Sequence, residues 1–251
     1  MSPLSRRTLL GTGLAAAGLG VVAGAGSLLS RFGLMPPDGR GWFGPGESLT
    51  YAAQRLLTSR SRAREFPREL ISAKPFANEV APPSEGFQRL AADGFAGWKL
   101  SVDGLVARPA LFSLAAVRAL PVSRQVTEVA CEEGWSYIAE WIGTPLARVL
   151  DLVGVLPHAR YVIYRSIDTT WWDSIDMADA LHPQTILAWG MNGGDLPVPF
   201  GGPLRMRVPR QLGYKSVKYI TGLTVTDSLA TVGKGLGSSN ADDGYAWYAG
   251  I

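Results

Sequence analysis

The sequence predicts one α+β domain with a mixed, strand-rich sheet over residues 98–251. Segments with the alternating apolar pattern of strands outnumber helical segments here, and no strand–helix–strand rhythm is sustained. The chain has 251 residues, of which 47% are hydrophobic and 18% are charged. This apolar content is enough for one substantial core, which favours a single domain.

The segment before this domain has a different composition. Residues 31–97 are rich in Pro, Gly and Arg, with the breakers Pro36-Pro37 and Pro82-Pro83. This composition predicts an extended N-terminal arm with one helix near residues 48–57.

The first elements of the domain are predicted from alternation and from capping residues. Residues 98–102 alternate as in a half-buried strand, and Asp103-Gly104 is expected to turn the chain into a second strand at residues 105–106. Ser113 is placed to cap a short helix. Residues 126–129 then form a strand.

The later elements follow the same signals. Residues 144–154 predict a helix with one apolar face, begun by Thr-Pro and ended by Gly. Asp176 caps a helical turn, and Asn192-Gly193 makes a hairpin turn. Four further segments have strand patterns: residues 161–167, 186–189, 204–208 and 220–226.

The charge distribution excludes a nucleic-acid-binding domain. The formal net charge is +3, and Arg6 and Arg7 contribute two of those charges within a segment that contains no acid. The remainder of the chain is therefore almost neutral, whereas nucleic-acid-binding domains are strongly and locally basic.

The N-terminus resembles the twin-arginine export signal of bacteria. Arg6-Arg7, between Ser5 and Thr8, precedes an uncharged stretch that is rich in Gly and Ala and runs to Leu29. Residues 1–30 are therefore predicted to direct the protein to the periplasm or another extracytoplasmic site. Cleavage near Ala23-Gly24-Ala25 and retention as an uncleaved membrane anchor are both open, because the apolar stretch is long enough to span a bilayer.

Cys131 is the only cysteine of the chain. An exported protein enters an oxidising compartment, where one cysteine cannot form an internal disulfide. The residue is either a small buried hydrophobe or a ligand whose thiolate a metal protects. Twin-arginine export carries folded proteins, typically loaded with a complex cofactor, and this favours the metal ligand.

The residues around Cys131 resemble a known metal site. Residues 131–146, beginning Cys-Glu-Glu-Gly-Trp-Ser, resemble the molybdenum-ligand segment of the sulfite-oxidase superfamily, in the bacterial branch that includes protein-methionine-sulfoxide reductases. The resemblance extends from residue 98 to about residue 226. It implies a sulfite-oxidase-like molybdopterin-binding fold and a mononuclear molybdenum with one pterin dithiolene. Cys131 would be the third sulfur ligand and the catalytic residue, since high-valent molybdenum prefers thiolate sulfur.

The resemblance also implies which residues bind the pterin cofactor. They share positions that match cofactor contacts in the family: Asn78, Cys131, Ser166, Arg205, Ser216, Val217 and Lys218. A guanidinium with a nearby ammonium is suited to the terminal phosphate of the pterin.

Other residues near these positions are expected to have no part in cofactor binding. Arg207, Arg210 and Lys215 are predicted on a basic outer face. Phe200 stands where relatives have His or Asn, and its ring cannot make their hydrogen bond to the pterin.

The remaining polar and aromatic residues indicate no second metal site in this chain. His158 and His182 lack metal-ligand spacing and are predicted to be structural. Trp171 and Trp172 are candidates for a wall of the substrate entrance. The chain lacks a haem-attachment motif and has too few cysteines for an iron–sulfur cluster. The resemblance therefore implies an electron partner elsewhere, a membrane-bound haem protein of b type.

The implied activity is two-electron oxygen-atom transfer. Glu132 and Glu133 follow Cys131 and should repel an anion, so a neutral or cationic S-oxide or N-oxide, free or protein-bound, is the predicted substrate. Oxidation of sulfite and a metal-free binding subunit of a membrane redox complex stay as alternatives. A thiol hydrolase is disfavoured because no histidine is placed to activate Cys131.

Overall fold

A computed structural model describes residues 34–40, 43–78, 81–168 and 170–251. These residues form six α-helices and ten β-strands, and they fall into two compact units that divide between Ser59 and Arg60. The predicted export signal at residues 1–30 lies outside the described residues. Within the described ranges, no helix is both long enough and apolar enough to cross a membrane.

The described part of the first unit is mainly one helix. A 3-10 turn at Pro37–Arg40 precedes α1, Gly44–Thr58, which has a proline in its first turn. That position suits proline, because the first helical N–H groups have no partner within the helix. The helix begins four residues before the predicted segment 48–57.

The second unit contains two five-stranded sheets. The first sheet has the order β2-β1-β10-β5-β6, and its β1 and β10 strands are parallel while the other neighbours are antiparallel. Its strands are β1 Lys99–Gly104, β2 Ala110–Ser113, β5 Tyr161–Ser166, β6 Trp172–Asp176 and β10 Ile220–Thr226. This mixture of pairings confirms the predicted α+β class.

The second sheet is antiparallel, and one of its hairpins carries Cys131. Its order is β3-β4-β7-β8, and β9 pairs with β7. The strands are β3 Ser123–Ala130, β4 Ser136–Pro145, β7 Ile186–Met191, β8 Gly194–Asp195 and β9 Arg205–Arg207. β3 and β4 form a hairpin whose connection is residues 131–135.

Five helices complete the second unit: α2 Glu85–Ala92, α3 Leu114–Arg118, α4 Leu146–Val153, α5 Met177–Ala180 and α6 Ser239–Asp242. The predicted caps are confirmed, because Ser113 Oγ accepts from Ala116 N–H at 3.1 Å and Asp176 Oδ1 accepts from Asp179 N–H at 2.9 Å. Gly154, with φ +67°, ends α4 as expected.

Several expectations about secondary structure are wrong or incomplete. The segment of residues 31–97 contains a second α-helix, α2, besides the single helix predicted there. Strand β4 was not predicted, because it is buried on both faces and shows no alternation. Thr144 belongs to that strand and does not cap α4; its hydroxyl donates to the Val117 carbonyl at 2.8 Å. The second strand of the domain does not begin at Leu105, because Leu105 continues alongside β10 and its N–H donates to the Val225 carbonyl. That strand lies instead at Ala110–Ser113.

Alternation in the second sheet directs side chains into two separate cores. Leu187 and Met206 belong to the main core, together with the apolar face of α4. Trp141 and Ala188 belong to a smaller core on the opposite face of the sheet. Because the two arginines of β9 alternate with Met206, their side chains point to the smaller core.

Candidate active site and cofactor cavity

The seven residues expected to bind the cofactor all line one cavity of about 640 Å³. They come from four separate parts of the second unit: Asn78, Cys131, Ser166 and the segment that includes Arg205, Ser216, Val217 and Lys218. The fold therefore brings together residues that lie up to 140 positions apart in the sequence.

A tight loop holds Cys131 at the cavity, and we call residues 131–135 the cysteine loop. Cys131 N–H donates to the Trp135 carbonyl at 3.0 Å, and Gly134 N–H donates to the Cys131 carbonyl at 3.1 Å. Gly134 has φ +89°, a conformation that glycine adopts without strain. The hairpin and its turn thus position the sulfur through local contacts.

The surroundings of Cys131 disfavour a free thiolate. Its Sγ donates to a Glu132 carboxylate oxygen at 3.1 Å. Burial raises the pKa of Cys131 to about 12, and the hydrogen bond and charge of Glu132 with the charge of Glu133 add to that rise. A bound metal cation would reverse this balance, because coordination favours the deprotonated sulfur.

Arg205, Ser216 and Lys218 form a second part of the lining, which we call the cationic wall. Arg205 is 4% exposed and donates to the carbonyls of Phe200 at 2.7 Å and Ser216 at 2.6 Å. Its guanidinium lies over the Trp141 ring, 5.2 Å from the centroid. The main chain of Phe200 thus positions the arginine.

Lys218 is linked to the distant Asn78. Its Nζ donates to Asn78 Oδ1 at 3.1 Å and to the Pro199 carbonyl at 2.8 Å. Gly201, with φ +104°, permits this approach, because a Cβ there would lie 3.0 Å from Lys218 Cβ and 3.1 Å from Arg205 Cβ.

Both predicted serines present hydroxyl groups that already accept a hydrogen bond. Ser216 Oγ accepts from Val208 N–H at 3.1 Å, and Ser166 Oγ accepts from Asp168 N–H at 3.3 Å. Each hydroxyl retains its own hydrogen as a donor, which suits a ligand rich in oxygen acceptors. Val217 is 8% exposed and contributes an apolar part of the lining.

The prediction that Arg207, Arg210 and Lys215 lie on a basic outer face is wrong. All three are buried, at 0%, 5% and 0% exposure. Arg210 pairs with Asp179 at 3.1 Å, and Lys215 pairs with Asp173. The alternation of β9 was correctly identified, but both of its faces are covered, so the positions between apolar residues do not reach solvent.

Aromatic side chains form much of the remaining lining. Trp135 Nε1 donates to a Glu133 carboxylate oxygen at 2.6 Å, and the Trp135 ring stacks on Tyr137 at 5.9 Å and contacts Phe76 at 5.0 Å. Trp171 lines the cavity and is 45% exposed, as expected for a wall at its entrance, whereas Trp172 belongs to β6 and does not line it.

Several lining residues were not found by sequence reasoning. They include Tyr137, Asp168, Asn240, Asp243 and Tyr245. The last three belong to the glycine-rich C-terminal segment, which has no periodic pattern from which their position could be predicted. Tyr137 would have followed from recognising β4, because it lies opposite Val129 in the hairpin.

The lining described here is acidic overall. Four carboxylate residues line the cavity, Glu132, Glu133, Asp168 and Asp243, against two cationic residues, Arg205 and Lys218. Both cations belong to the cationic wall, and two of the carboxylates belong to the cysteine loop.

Neither histidine takes part in the cavity lining described here. His158 lies in an exposed turn. His182 is 6% exposed, its Nδ1 accepts from Gln184 N–H at 3.2 Å, and burial lowers its pKa. These positions agree with the predicted structural roles. The described residues contain no group of three or more His, Cys, Asp or Glu side chains arranged to hold a metal ion.

Comparisons with known proteins identify a matching family and a similar relative. The profile of a family described as "Oxidoreductase molybdopterin binding domain" matches residues 89–231. A protein of Azospira oryzae, provisionally named protein-methionine-sulfoxide reductase subunit YedZ1, is 43% identical over 195 residues, which cover 78% of this chain and 70% of that protein.

A solved structure has a similar fold. The sulfane dehydrogenase SoxCD from Paracoccus pantotrophus matches with a TM-score of 0.51 and 23% identity over 53% of this chain. The match covers 39% of the SoxCD chain, so this chain corresponds to less than half of its length. At this level of identity the likeness concerns the fold alone.

Proposed function

This chain belongs to the family of oxidoreductase molybdopterin-binding domains, in the sulfite-oxidase superfamily, and is a molybdopterin oxidoreductase; from this premise we propose that Cys131 ligates its molybdenum. We further propose that the enzyme reduces a neutral or cationic S-oxide or N-oxide. The observation that carries both proposals is the joining of the only cysteine and the cationic wall in one cavity with an acidic lining.

The residues of the cavity fit the cofactor. Arg205 is buried, and no carboxylate of the described residues lies within 4.0 Å of its guanidinium. A buried cation without a counter-ion is unfavourable, so this site is suited to an anion such as the pterin phosphate. Cys131 offers one soft sulfur, which suits a metal that arrives with two dithiolene sulfurs.

When bound, the cofactor supplies a molybdenum centre for oxygen-atom transfer, in which an oxide R2SO with two protons and two electrons gives R2S and water. The residues of this chain bind and orient the reactants. Hydrogen bonds of the cysteine loop hold the Cys131 sulfur in place. Trp135, held by Glu133 and Tyr137, contributes an apolar part of the lining of the cavity that Cys131 also lines.

The charges of the lining support the proposed substrate class. If Arg205 and Lys218 bind the cofactor phosphate, no further cation of the described lining remains for an anionic substrate. The carboxylates of Glu132 and Glu133 then repel sulfite and are compatible with a neutral or cationic oxide. The name of the Azospira oryzae relative supports a sulfoxide in particular.

A comparison of substrates tests this proposal. We expect the purified enzyme, with a reduced dye as electron donor, to reduce free methionine sulfoxide, methionine sulfoxide within a protein, or trimethylamine oxide. Its kcat/KM for at least one of these oxides should exceed that for sulfite oxidation. A higher kcat/KM for sulfite than for every oxide would contradict the proposed substrate class.

We propose a membrane-bound haem protein of b type as the electron partner. The chain has no Cys-x-x-Cys-His haem-attachment motif, its one cysteine is too few for an iron–sulfur cluster, and the Azospira oryzae relative is named as a subunit. The isolated chain should therefore turn over with an artificial dye, and efficient turnover with NADH alone would contradict an external partner.

We propose export by the twin-arginine route to the periplasm or another extracytoplasmic site. The proposal depends on Arg6-Arg7 and the uncharged stretch that follows them. Replacing both arginines by lysine should leave the protein in the cytoplasm, and undiminished export of that variant would reject the proposal.

A further inference from the structure

Arg207 lies in β9, behind the cationic wall, and does not itself line the described cavity. It is fully buried, and its guanidinium lies 5.5 Å from the centroid of the Trp141 ring that also contacts Arg205. No carboxylate of the described residues lies within 4.0 Å of the Arg207 guanidinium. Two buried positive charges therefore lie against one ring without a counter-ion from the described chain.

The hydrogen bonds of Arg207 leave its charge uncompensated. Its Nη1 donates to Ser216 Oγ at 3.4 Å, and its Nη2 donates to Thr127 Oγ1 at 3.3 Å and to the Glu128 carbonyl. All of these acceptors are neutral, and Nε has no hydrogen-bond partner in the described part of the chain. A neutral hydrogen-bond donor would satisfy the same acceptors, so these contacts do not explain why the side chain at this buried position is positively charged.

Arg210, three residues later, is a buried arginine with a structural role, and it has a counter-ion. It is 5% exposed, and its guanidinium pairs with the Asp179 carboxylate at 3.1 Å. Arg207 has no such carboxylate, and its neighbour Arg205 is a second cation. Burial and the charge of Arg205 lower the pKa of Arg207 to about 9, which agrees with a site that lacks an anion.

Arg207 also determines what the Ser216 hydroxyl can do. Ser216 Oγ accepts from Val208 N–H and from Arg207, so both of its lone pairs are used. The hydroxyl can then act only as a donor. Because Ser216 lines the cavity, the ligand atom that binds this hydroxyl must be an acceptor.

We propose that Arg207 is a positioning residue for the phosphate end of the cofactor, holding Ser216 as a hydrogen-bond donor and adding a second buried positive charge beside Arg205. The inference rests on the proposed roles of Arg205 and Ser216 and adds a residue that the family resemblance does not assign. Two uncompensated guanidinium charges favour a doubly charged anion, such as a phosphate monoester, over a singly charged one.

The test uses inorganic phosphate as the probe and the full chain made without cofactor. The midpoint of thermal unfolding, Tm, is measured in phosphate and in chloride at equal ionic strength. We expect phosphate to raise the Tm of the wild type, because a ligand that binds only the folded state stabilises it. Arg207→Met should lose more than half of that rise, and Arg207→Lys should retain part of it because it keeps the charge.

Arg210→Met is the matched control. It should lower the Tm in both salts, because it leaves Asp179 buried without its partner, yet keep the phosphate-dependent rise. A second measurement uses protein made in cells that synthesise the cofactor. There, Arg207→Met should contain about tenfold less pterin per folded protein, as expected when one charge-assisted hydrogen-bond system is lost.

The outcomes separate this inference from the proposal on which it rests. A folded Arg207→Met protein with the wild-type phosphate response and pterin content would overturn the role of Arg207 alone, provided that Arg205→Ala loses both. A wild type without a phosphate response, or an unchanged response in Arg205→Ala, would overturn the cationic wall as the phosphate site and this inference with it. If Arg207→Met does not fold, an unchanged response in both Arg207→Lys and Ser216→Ala would overturn the inference.

Discussion

The cysteine loop and the cationic wall line the same cavity but are built in different ways. The loop is formed by contacts among residues 131–135, has acidic side chains and leaves Cys131 only partly buried. The wall depends on contacts between distant segments, such as the bond between Lys218 and Asn78, and Arg205 within it is almost completely buried.

This difference indicates a division of work between the two regions. In the proposed function the loop contributes a single atom, the Cys131 sulfur, to the reacting centre. The wall contributes several charge-assisted hydrogen bonds to the cofactor phosphate, which is remote from the reacting centre. Changes in the loop should therefore alter the chemistry at constant cofactor content. Changes in the wall should instead alter how much cofactor the protein retains.

The largest effect is expected from Cys131→Ser. We predict loss of turnover by at least about a thousandfold, as for other residues that act directly at a reacting centre. The folded protein should still contain pterin, because the cationic wall is intact. Turnover is measured with a reduced dye and methionine sulfoxide, and pterin by fluorescence after oxidation.

Ser136→Ala is the control for this substitution. Ser136 is exposed, begins β4 directly after the cysteine loop and does not line the cavity. It should keep wild-type turnover. Wild-type turnover in Cys131→Ser, or loss of pterin from this variant, would contradict the separate roles of the cysteine loop and the cationic wall.

The next largest effect is expected from Arg205→Ala. Loss of charge-assisted hydrogen bonds of about 1.5–3 kcal/mol should weaken cofactor binding by roughly 10- to 100-fold. Lys218→Ala should lower the pterin content less, because Lys218 is only partly buried whereas Arg205 is 4% exposed. Arg148→Ala, on the exposed face of α4, is the control. Undiminished pterin content in Arg205→Ala would show that the wall does not bind the cofactor.

A smaller and sharper test compares one glycine from each region. Gly134→Ala and Gly201→Ala both place a side chain at positive φ, at a cost of about 1–3 kcal/mol of stability. The new methyl group of Gly134→Ala meets nothing within 4 Å, whereas that of Gly201→Ala crowds Lys218 and Arg205. Both variants should have a lower Tm, but only Gly201→Ala should also lose pterin. Equal pterin loss in the two variants would contradict the division of work.

The smallest effect concerns the acidity of the cysteine loop. With its pKa raised to about 12, Cys131 in cofactor-free protein should be alkylated by iodoacetamide at pH 8 at least about tenfold more slowly than an unstructured cysteine peptide. The rate should rise with pH, because the reactive thiolate forms only as pH approaches the pKa. Glu132→Gln should accelerate the reaction at pH 8, and an unchanged rate would show that this carboxylate does not control the thiol.

Local signals in the sequence predicted the elements that depend on neighbouring residues. Ser113, Asp176 and Gly154 occupy the cap positions expected of them, because a cap is satisfied within one helical turn. β4 was missed because a strand covered on both faces loses the alternation by which strands are recognised.

The burial of the charged residues that are close to the cationic wall in the sequence could not be predicted in the same way. Arg207 and Lys215 have the sequence pattern of an exposed basic face, and only the packing of distant segments shows that they are buried. The contribution of Phe200 was equally hidden, since its carbonyl rather than its ring contacts Arg205. Main-chain contacts of this kind cannot be predicted from the residue type, because every residue has a backbone carbonyl.

The central claim, that Cys131 ligates molybdenum, is tested most directly by X-ray absorption at the molybdenum edge, which counts the sulfur ligands of the metal. We predict three sulfur ligands in the wild type, two from the pterin dithiolene and one from Cys131, and two in Cys131→Ser with the same pterin content. An identical sulfur count in the two proteins, or a purified wild type that contains pterin but no molybdenum, would contradict the account.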